Sequence, residues 1–399
     1  MIPEIRERIN AEFTDERFRA FLHELNTTYR YPTDFRSAET PIFLSRDLAG
    51  QLVSGAEGIV AQLQTPEFTR HASTAIPDGC SVPNEAPHPV FLQVDFGICR
   101  DDNGSFVPQL IELQGFPSLY GFQAFLNDTT RKHYSIPPTF AAAFNGYDRE
   151  SYTELLRQVI VGTEDPAHVI LLEIEPEKQK TRIDFAVTEA MLGIRTVCLT
   201  KVKKRGRSLI YDRDGVETPI RRIYNRVIFD ELQRKGITAA FSFTEELDVH
   251  WVGHPNWYFR ISKHTLPFLK SRYVPECRLV SELKQYPDDL SRYVLKPLYS
   301  FAGLGVDIDV TKEKLDALTD RSQFLLQRKV EYADLIRTPD GYAKAEVRMM
   351  YIWPETPGAR PILVKNLVRL SKGRMMGVDF NKNKTWVGSS IAYHEPVWS

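Results

Sequence analysis

Between residues 90 and 114 the chain alternates apolar and polar side chains on either side of Asp101-Asp102-Asn103-Gly104, the pattern of an antiparallel hairpin with a tight turn. Val90, Leu92, Val94, Phe96 and Ile98 share one face of the first run, so Asp95 points to the opposite face beside Gln93. In the second run the same periodicity groups Leu110, Glu112 and Gln114 on one face. A turn centred near residue 103 then sets Asp95 within about one or two cross-strand pairs of Glu112. Two carboxylates and an amide oxygen on adjacent strands suit a hard divalent cation such as Mg²⁺, held jointly with phosphates. An ordinary solvated acidic face is the competing explanation.

The rest of the chain supplies the surroundings. Its 399 residues suffice for two or three domains, and 42% hydrophobic with 26% charged residues is a globular composition. No apolar run reaches the roughly 18 residues of a membrane span, and Met1-Ile2-Pro3-Glu4-Ile5-Arg6-Glu7-Arg8 has no signal-peptide core. Cys80, Cys99, Cys198 and Cys277 lie far apart, with no metal spacing, as reduced thiols of a cytoplasmic protein would. A net charge of -1 gives no general attraction to nucleic acid or anionic lipid. The basic run Lys201–Arg207 reads as a solvated hairpin tip between strands at 196–200 and 208–211.

Phe18, Phe21, Leu22 and Leu25 follow helical spacing behind Thr14 and Asp15, and the first thirty residues are helical in pattern. Residues 65–89, rich in Pro, Ser and Thr, read as a long loop. From about residue 151 a strand at 169–174, a helix carrying Val187, Ala190, Met191 and Ile194, and a strand at 196–200 give the β-α-β order of a small parallel sheet. From about residue 255 a helix around 262–270 precedes strands at 292–297, 324–330, 345–352 and 362–370, an α+β section.

Within that section, Tyr293-Val294-Leu295-Lys296-Pro297 delivers a lysine from a strand. The loop Leu298-Tyr299-Ser300-Phe301-Ala302-Gly303-Leu304-Gly305 follows at once. Glycines let backbone N–H groups approach a phosphate, Ser300 adds a hydroxyl, and Lys296 adds charge. A plain glycine-turn hairpin with a surface lysine is the alternative. Gln327, Arg328, Lys329 and Val330 end a strand whose backbone could meet a flat heteroaromatic edge. Glu346 and Arg348 share a strand face, with Arg369 further on; each could meet phosphate or pair with the other charges.

Taken in order, these segments resemble the ATP-grasp superfamily. Lys296 and its loop resemble the second nucleotide lysine and the glycine-rich flap, Ser262-Lys263 the earlier lysine segment, and Gln327 to Val330 the adenine hinge. Asp95, Glu112 and Gln114 stand where the metal-binding residues would, yet they come first in the chain. That order resembles the circularly permuted ATP-grasp proteins, glutathionylspermidine synthase-like enzymes among them. The resemblance implies three parts: residues 1–150 with the metal-site strands, 151–255 as a small α/β pre-ATP-grasp-like domain, and 256–399 with the lysines, loop, hinge and closing strands. It covers about residues 90–399 and departs at two positions: Gln114 replaces the usual Asn, and Gln93 replaces an arginine, leaving Arg348 or Arg369 to clamp the transferred phosphoryl.

The implied activity is an ATP-dependent ligase joining a small-molecule carboxylate to an amine through an acylphosphate. Mg²⁺ would sit on Asp95, Glu112 and Gln114; Lys263, Lys296, Ser300, Gly303 and Gly305 would hold the triphosphate; Lys296, Arg348 and Arg369 would carry the catalysis. Phosphate transfer to a hydroxyl by the same fold, and a catalytically silent nucleotide-binding protein, are the competing readings.

Overall fold

A computed structural model describes residues 1–300 and 303–397. The hairpin is present as Phe91–Arg100 and Phe106–Gln114, two edge-side strands of a larger antiparallel sheet. Its neighbours come from the far end of the chain: Gly341–Ile352 pairs with the Asp95 strand, Ile362–Ser371 lies outside that, and Gly388–Ser390 ends the row. Early and late segments thus share one sheet.

Register decides what each face carries. Asp95 pairs directly with Glu112, and Gln93 with Gln114. Between Asp95 and Phe96 the register shifts, so that Phe96 meets Leu110 and one extra residue, Ile111, bulges from the partner strand. The bulge corrects the simple alternation: Leu110 does not share a face with Glu112 and Gln114. It joins Leu113, Val94 and Phe96 in the apolar core, because the inserted residue turns the strand over.

That apolar face is covered by the helix Arg46–Leu63, capped by Ser45, whose Leu52, Val53, Ala56, Ile59 and Val60 are buried at helical spacing. Each such side chain contributes about 1.5–3 kcal/mol. At the far end of the polar face, Phe91 and Met350 pack into a second core with the helices Tyr120–His133 and Arg149–Ile160. The first of these starts at Leu119 without a side-chain cap of its own. Asp184, on the neighbouring helix Arg182–Leu192, accepts the Leu119 and Phe122 N–H groups at 3.1 and 2.8 Å instead.

Four parallel strands form the expected parallel sheet, in the order His250–Val252, Arg222–Asn225, Val169–Glu173, Arg195–Cys198. A small, three-stranded sheet sets Phe324–Arg328 between Cys277–Leu279 and Tyr293–Pro297. Three local expectations change. The 65–89 stretch opens with a helix, Pro66–Ala72, started by the Thr65 cap and Pro66. The 262–270 helix is a 3₁₀ turn, Lys263–Phe268, carrying Pro267 and preceded by a short α-helix, Asn256–Arg260. The basic run carries more than the tip: Lys203–Arg205 is itself a strand leading into the turn at Gly206, and Lys203, Lys204, Arg205 and Arg207 all pair with carboxylates.

The segment after Phe324–Arg328 leads from the small sheet to the large one, and Tyr332 lies there against Gly97. A Cβ at Gly97 would stand 2.7 Å from the Tyr332 ring, so only glycine admits that contact. Asp184→Ala strips two buried N–H groups of their acceptor. It is expected to cost about 2–4 kcal/mol, measured as a lower urea midpoint with unchanged slope.

Candidate nucleotide and metal site

The polar face of the large sheet carries a compact set of charges. Rows across the strands read Glu112–Asp95–Arg348 and, one pair along, Gly97–Glu346–Arg369. The small sheet brings Lys296 against this face: its ammonium donates to the Ile111 carbonyl at 3.1 Å, the group exposed by the bulge. Lys263 arrives from the 3₁₀ turn, donating to the Ser300 carbonyl at 2.6 Å and standing 3.8 Å from Glu112. The early acidic hairpin and the late lysine strand therefore meet in one place.

Electrostatics follow from burial. Burial pushes the Lys296 ammonium below its usual range, against the pull of Glu112. Burial alone would raise Glu112, but Lys263, Arg369, Lys296 and Arg348 together hold it below the ordinary carboxylate range. Asp95 is fully buried, and burial pushes its carboxyl up while Arg348 opposes the shift.

Asp95 is where the arrangement differs most from a simple metal shell. Arg348 binds it side-on, Nε to Oδ1 and Nη2 to Oδ2, both at 2.6 Å. Arg369 stands 3.6 Å from Oδ2 and is itself bonded to Glu346. Both oxygens of Asp95 are thus committed to guanidinium, and among the described residues no three acidic, histidine or cysteine side chains form a metal cage. Glu112 and Gln114 fit a cation better. Gln114 donates its amide N–H to Glu112 at 2.5 Å, which fixes the amide and leaves its buried Oε1 without a partner. Arg348 and Arg369, expected on a phosphoryl group, are paired with carboxylates.

The remaining positions divide. Gly303 and Gly305 take φ of 76° and 73°, and a Cβ at Gly305 would also meet the Pro297 ring at 2.9 Å. Ser300 borders a small pocket with Glu112, Gln114, Phe116, Lys263 and Tyr299. Phe301 and Ala302, the middle of the expected phosphate loop, lie outside the described residues. The expected adenine edge, Gln327 to Val330, is partly occupied by the sheet itself. Gln327 sits in the central strand of its sheet, and the N–H groups of Arg328 and Lys329 already bond the Glu276 and Arg292 carbonyls at 2.8 Å. Those two N–H groups are therefore taken by neighbouring segments.

Sequence reasoning read Glu346 only as a phosphate or ion-pair partner and gave Tyr258 and Tyr299 no separate role. Glu346 is the third carboxylate, held by Arg369 and by the Tyr332 hydroxyl at 3.0 Å; its spacing from Arg348 was visible, but not the strand opposite it. Tyr258 and Tyr299 wall the pocket. Tyr258 bonds the Tyr299 carbonyl, and the Tyr299 hydroxyl reaches the Ala75 carbonyl at 2.5 Å, tying the glycine loop to the 73–89 stretch. Behind Phe116, at the carboxyl ends of the parallel strands, Arg226 stacks 4.8 Å over its ring beside buried Glu173.

No protein-family profile and no curated protein matches this sequence. Among solved structures it matches a glutathione synthetase-like effector from Globodera pallida, determined in its apo form, with a TM-score of 0.53. Sequence identity is 12%, and the match covers 90% of each chain. The likeness is one of fold: the chain has a mixed α/β architecture similar to that of this glutathione synthetase-like structure over most of its length. Among the described residues no helix is long and apolar enough to cross a membrane.

Burial pushes the Glu173 carboxyl from 4.5 up to about 8, despite Arg226. The fold therefore binds this proton more tightly than the unfolded chain does. The stabilisation is complete below about 4.5 and is lost as pH rises through about 8. Stability should fall by about a few kcal/mol across that window, and Glu173→Gln should flatten the slope in urea melts taken at successive pH values.

Proposed function

We propose that this chain is an ATP-dependent carboxylate–amine ligase, an ATP-grasp enzyme whose metal-site strands precede its nucleotide lysines through circular permutation. The observation that carries the reading is the convergence of Lys263, Lys296 and Glu112 where the small sheet faces the large one. The glutathione synthetase-like fold of the structural neighbour supports it.

In the reaction a carboxylate oxygen bonds the γ-phosphorus of ATP as the bond to ADP breaks. The amine nitrogen then bonds the acyl carbon, the C–O bond to phosphate breaks, and the nitrogen gives up its proton. The work of this chain is to neutralise charge and hold geometry. Lys263 and Lys296 are placed to hold phosphate oxygens, and the Gly303 and Gly305 backbone to close over them. Glu112 and the unpartnered Gln114 oxygen would hold Mg²⁺, with Asp95 available once Arg348 is released; the ion would supply positive charge to the phosphates. Arg348 or Arg369 would clamp the transferred phosphoryl. Tyr258, Tyr299 and the 73–89 stretch wall the acceptor side, where water must be kept from an acylphosphate.

A second reading, a silent nucleotide-binding protein, draws on one observation, the capture of Asp95 by Arg348. The assay that separates them is ADP release over a panel of carboxylates paired with amines. The ligase gives ADP only when both are present, together with an amide product. A phosphorylated alcohol without amide selects phosphotransfer, and no stimulated ADP from any pair defeats the ligase. Lys296→Met should lower kcat/KM by about 10²–10³ in that assay, with the circular dichroism spectrum unchanged.

A further inference from the structure

Arg348 occupies a position that chemistry would assign to a metal. Its side chain is 9% exposed and Asp95 is fully buried, so this ion pair is shielded from water and salt. The guanidinium spans both Asp95 oxygens from the next strand of the same sheet, and Glu346 and Glu112 lie in the same field. Three carboxylates this close repel one another unless a cation stands among them. Here the cations are protein groups. Asp95, Glu112 and Glu346 are faced by Lys263, Lys296, Arg348 and Arg369, which leaves one positive charge in excess.

A free divalent cation approaching this centre meets an excess of positive charge, and Asp95 has no oxygen to give it. A triphosphate meets the opposite situation: several negative charges approach four cations, one of them a guanidinium that can turn from carboxylate to phosphoryl oxygen with the same fork geometry. We propose that Arg348 is a built-in stand-in for the metal. It keeps Asp95 closed to divalent cations until a nucleotide draws the guanidinium away, so that metal enters only with the nucleotide. The role assigned to Arg348 is positioning: it sets when the metal site exists. This inference rests on the nucleotide-site reading above but requires no acceptor substrate.

The probe is Mn²⁺ alone, followed by the loss of its free electron paramagnetic resonance signal at pH 8. Wild-type protein should bind Mn²⁺ weakly by itself and stoichiometrically when a non-hydrolysable ATP analogue is present. Arg348→Met should bind Mn²⁺ without nucleotide at least about tenfold more tightly than wild type, since it frees both Asp95 oxygens and removes one positive charge. Adding Asp95→Asn to that variant should abolish the gain. Equal Mn²⁺ affinity in nucleotide-free wild type and a folded Arg348→Met would overturn the proposal, and so would a wild type that takes no Mn²⁺ with the analogue. If Arg348→Met does not fold, Arg348→Lys decides. One ammonium cannot span both oxygens, so Mn²⁺ affinity must still rise, and an unchanged value refutes the idea. The two readings fail separately: ADP release without the Mn²⁺ gain keeps the ligase and removes the stand-in, whereas the gain without ADP release does the reverse.

Discussion

The site depends on one inserted residue. With Ile111 bulged out of the hairpin, Leu110 and Leu113 both reach the apolar core while Glu112 faces Asp95. The same bulge exposes the Ile111 carbonyl, which the Lys296 ammonium takes. A regular strand would have to choose between core packing and the carboxylate pair, since alternation cannot place residues 110 and 113 on one face. The bulge settles that conflict and supplies the anchor that brings the small sheet onto the large one.

From that anchor the charges arrange themselves as a lattice across four strands of the large sheet, in which every carboxylate has a cationic neighbour. Such a lattice is costly to desolvate and costly to break, because removing any one member leaves another buried and unpaired. It fixes the orientation of the strands around the cleft more than it adds to net stability. The helix Arg46–Leu63 and the core behind it provide the stabilisation that lets the polar face hold so much charge.

Much of this was legible from residues 90–114 and 293–305. Alternation alone sets Asp95 opposite the core, a turn at Asp101–Gly104 fixes its approach to Glu112, and the strand-lysine-glycine pattern marks Lys296. What stayed hidden was non-local. Nothing near Asp95 announces that a strand some 250 residues later will set Arg348 on it, because pairing between distant strands leaves no periodic trace. The bulge was hidden for a different reason: a period-two pattern read through Leu110, Glu112 and Gln114 looks unbroken. The Gln327–Arg328 backbone read as an open edge because a strand's position within its sheet is not written in the strand. The Pro66–Ala72 helix was readable from its Thr-Pro start, but the Pro, Ser and Thr content of the surrounding stretch masked it.

Tyr332 ties these parts together mechanically. Its ring rests on the bare backbone of Gly97 while its hydroxyl holds Glu346. It lies in the connection between the two sheets, so the residue that joins them also holds a carboxylate. Displacing that ring would loosen the grip on Glu346 and, through Arg369, on Asp95. The contact between the two sheets and the grip on that carboxylate thus rest on one aromatic ring.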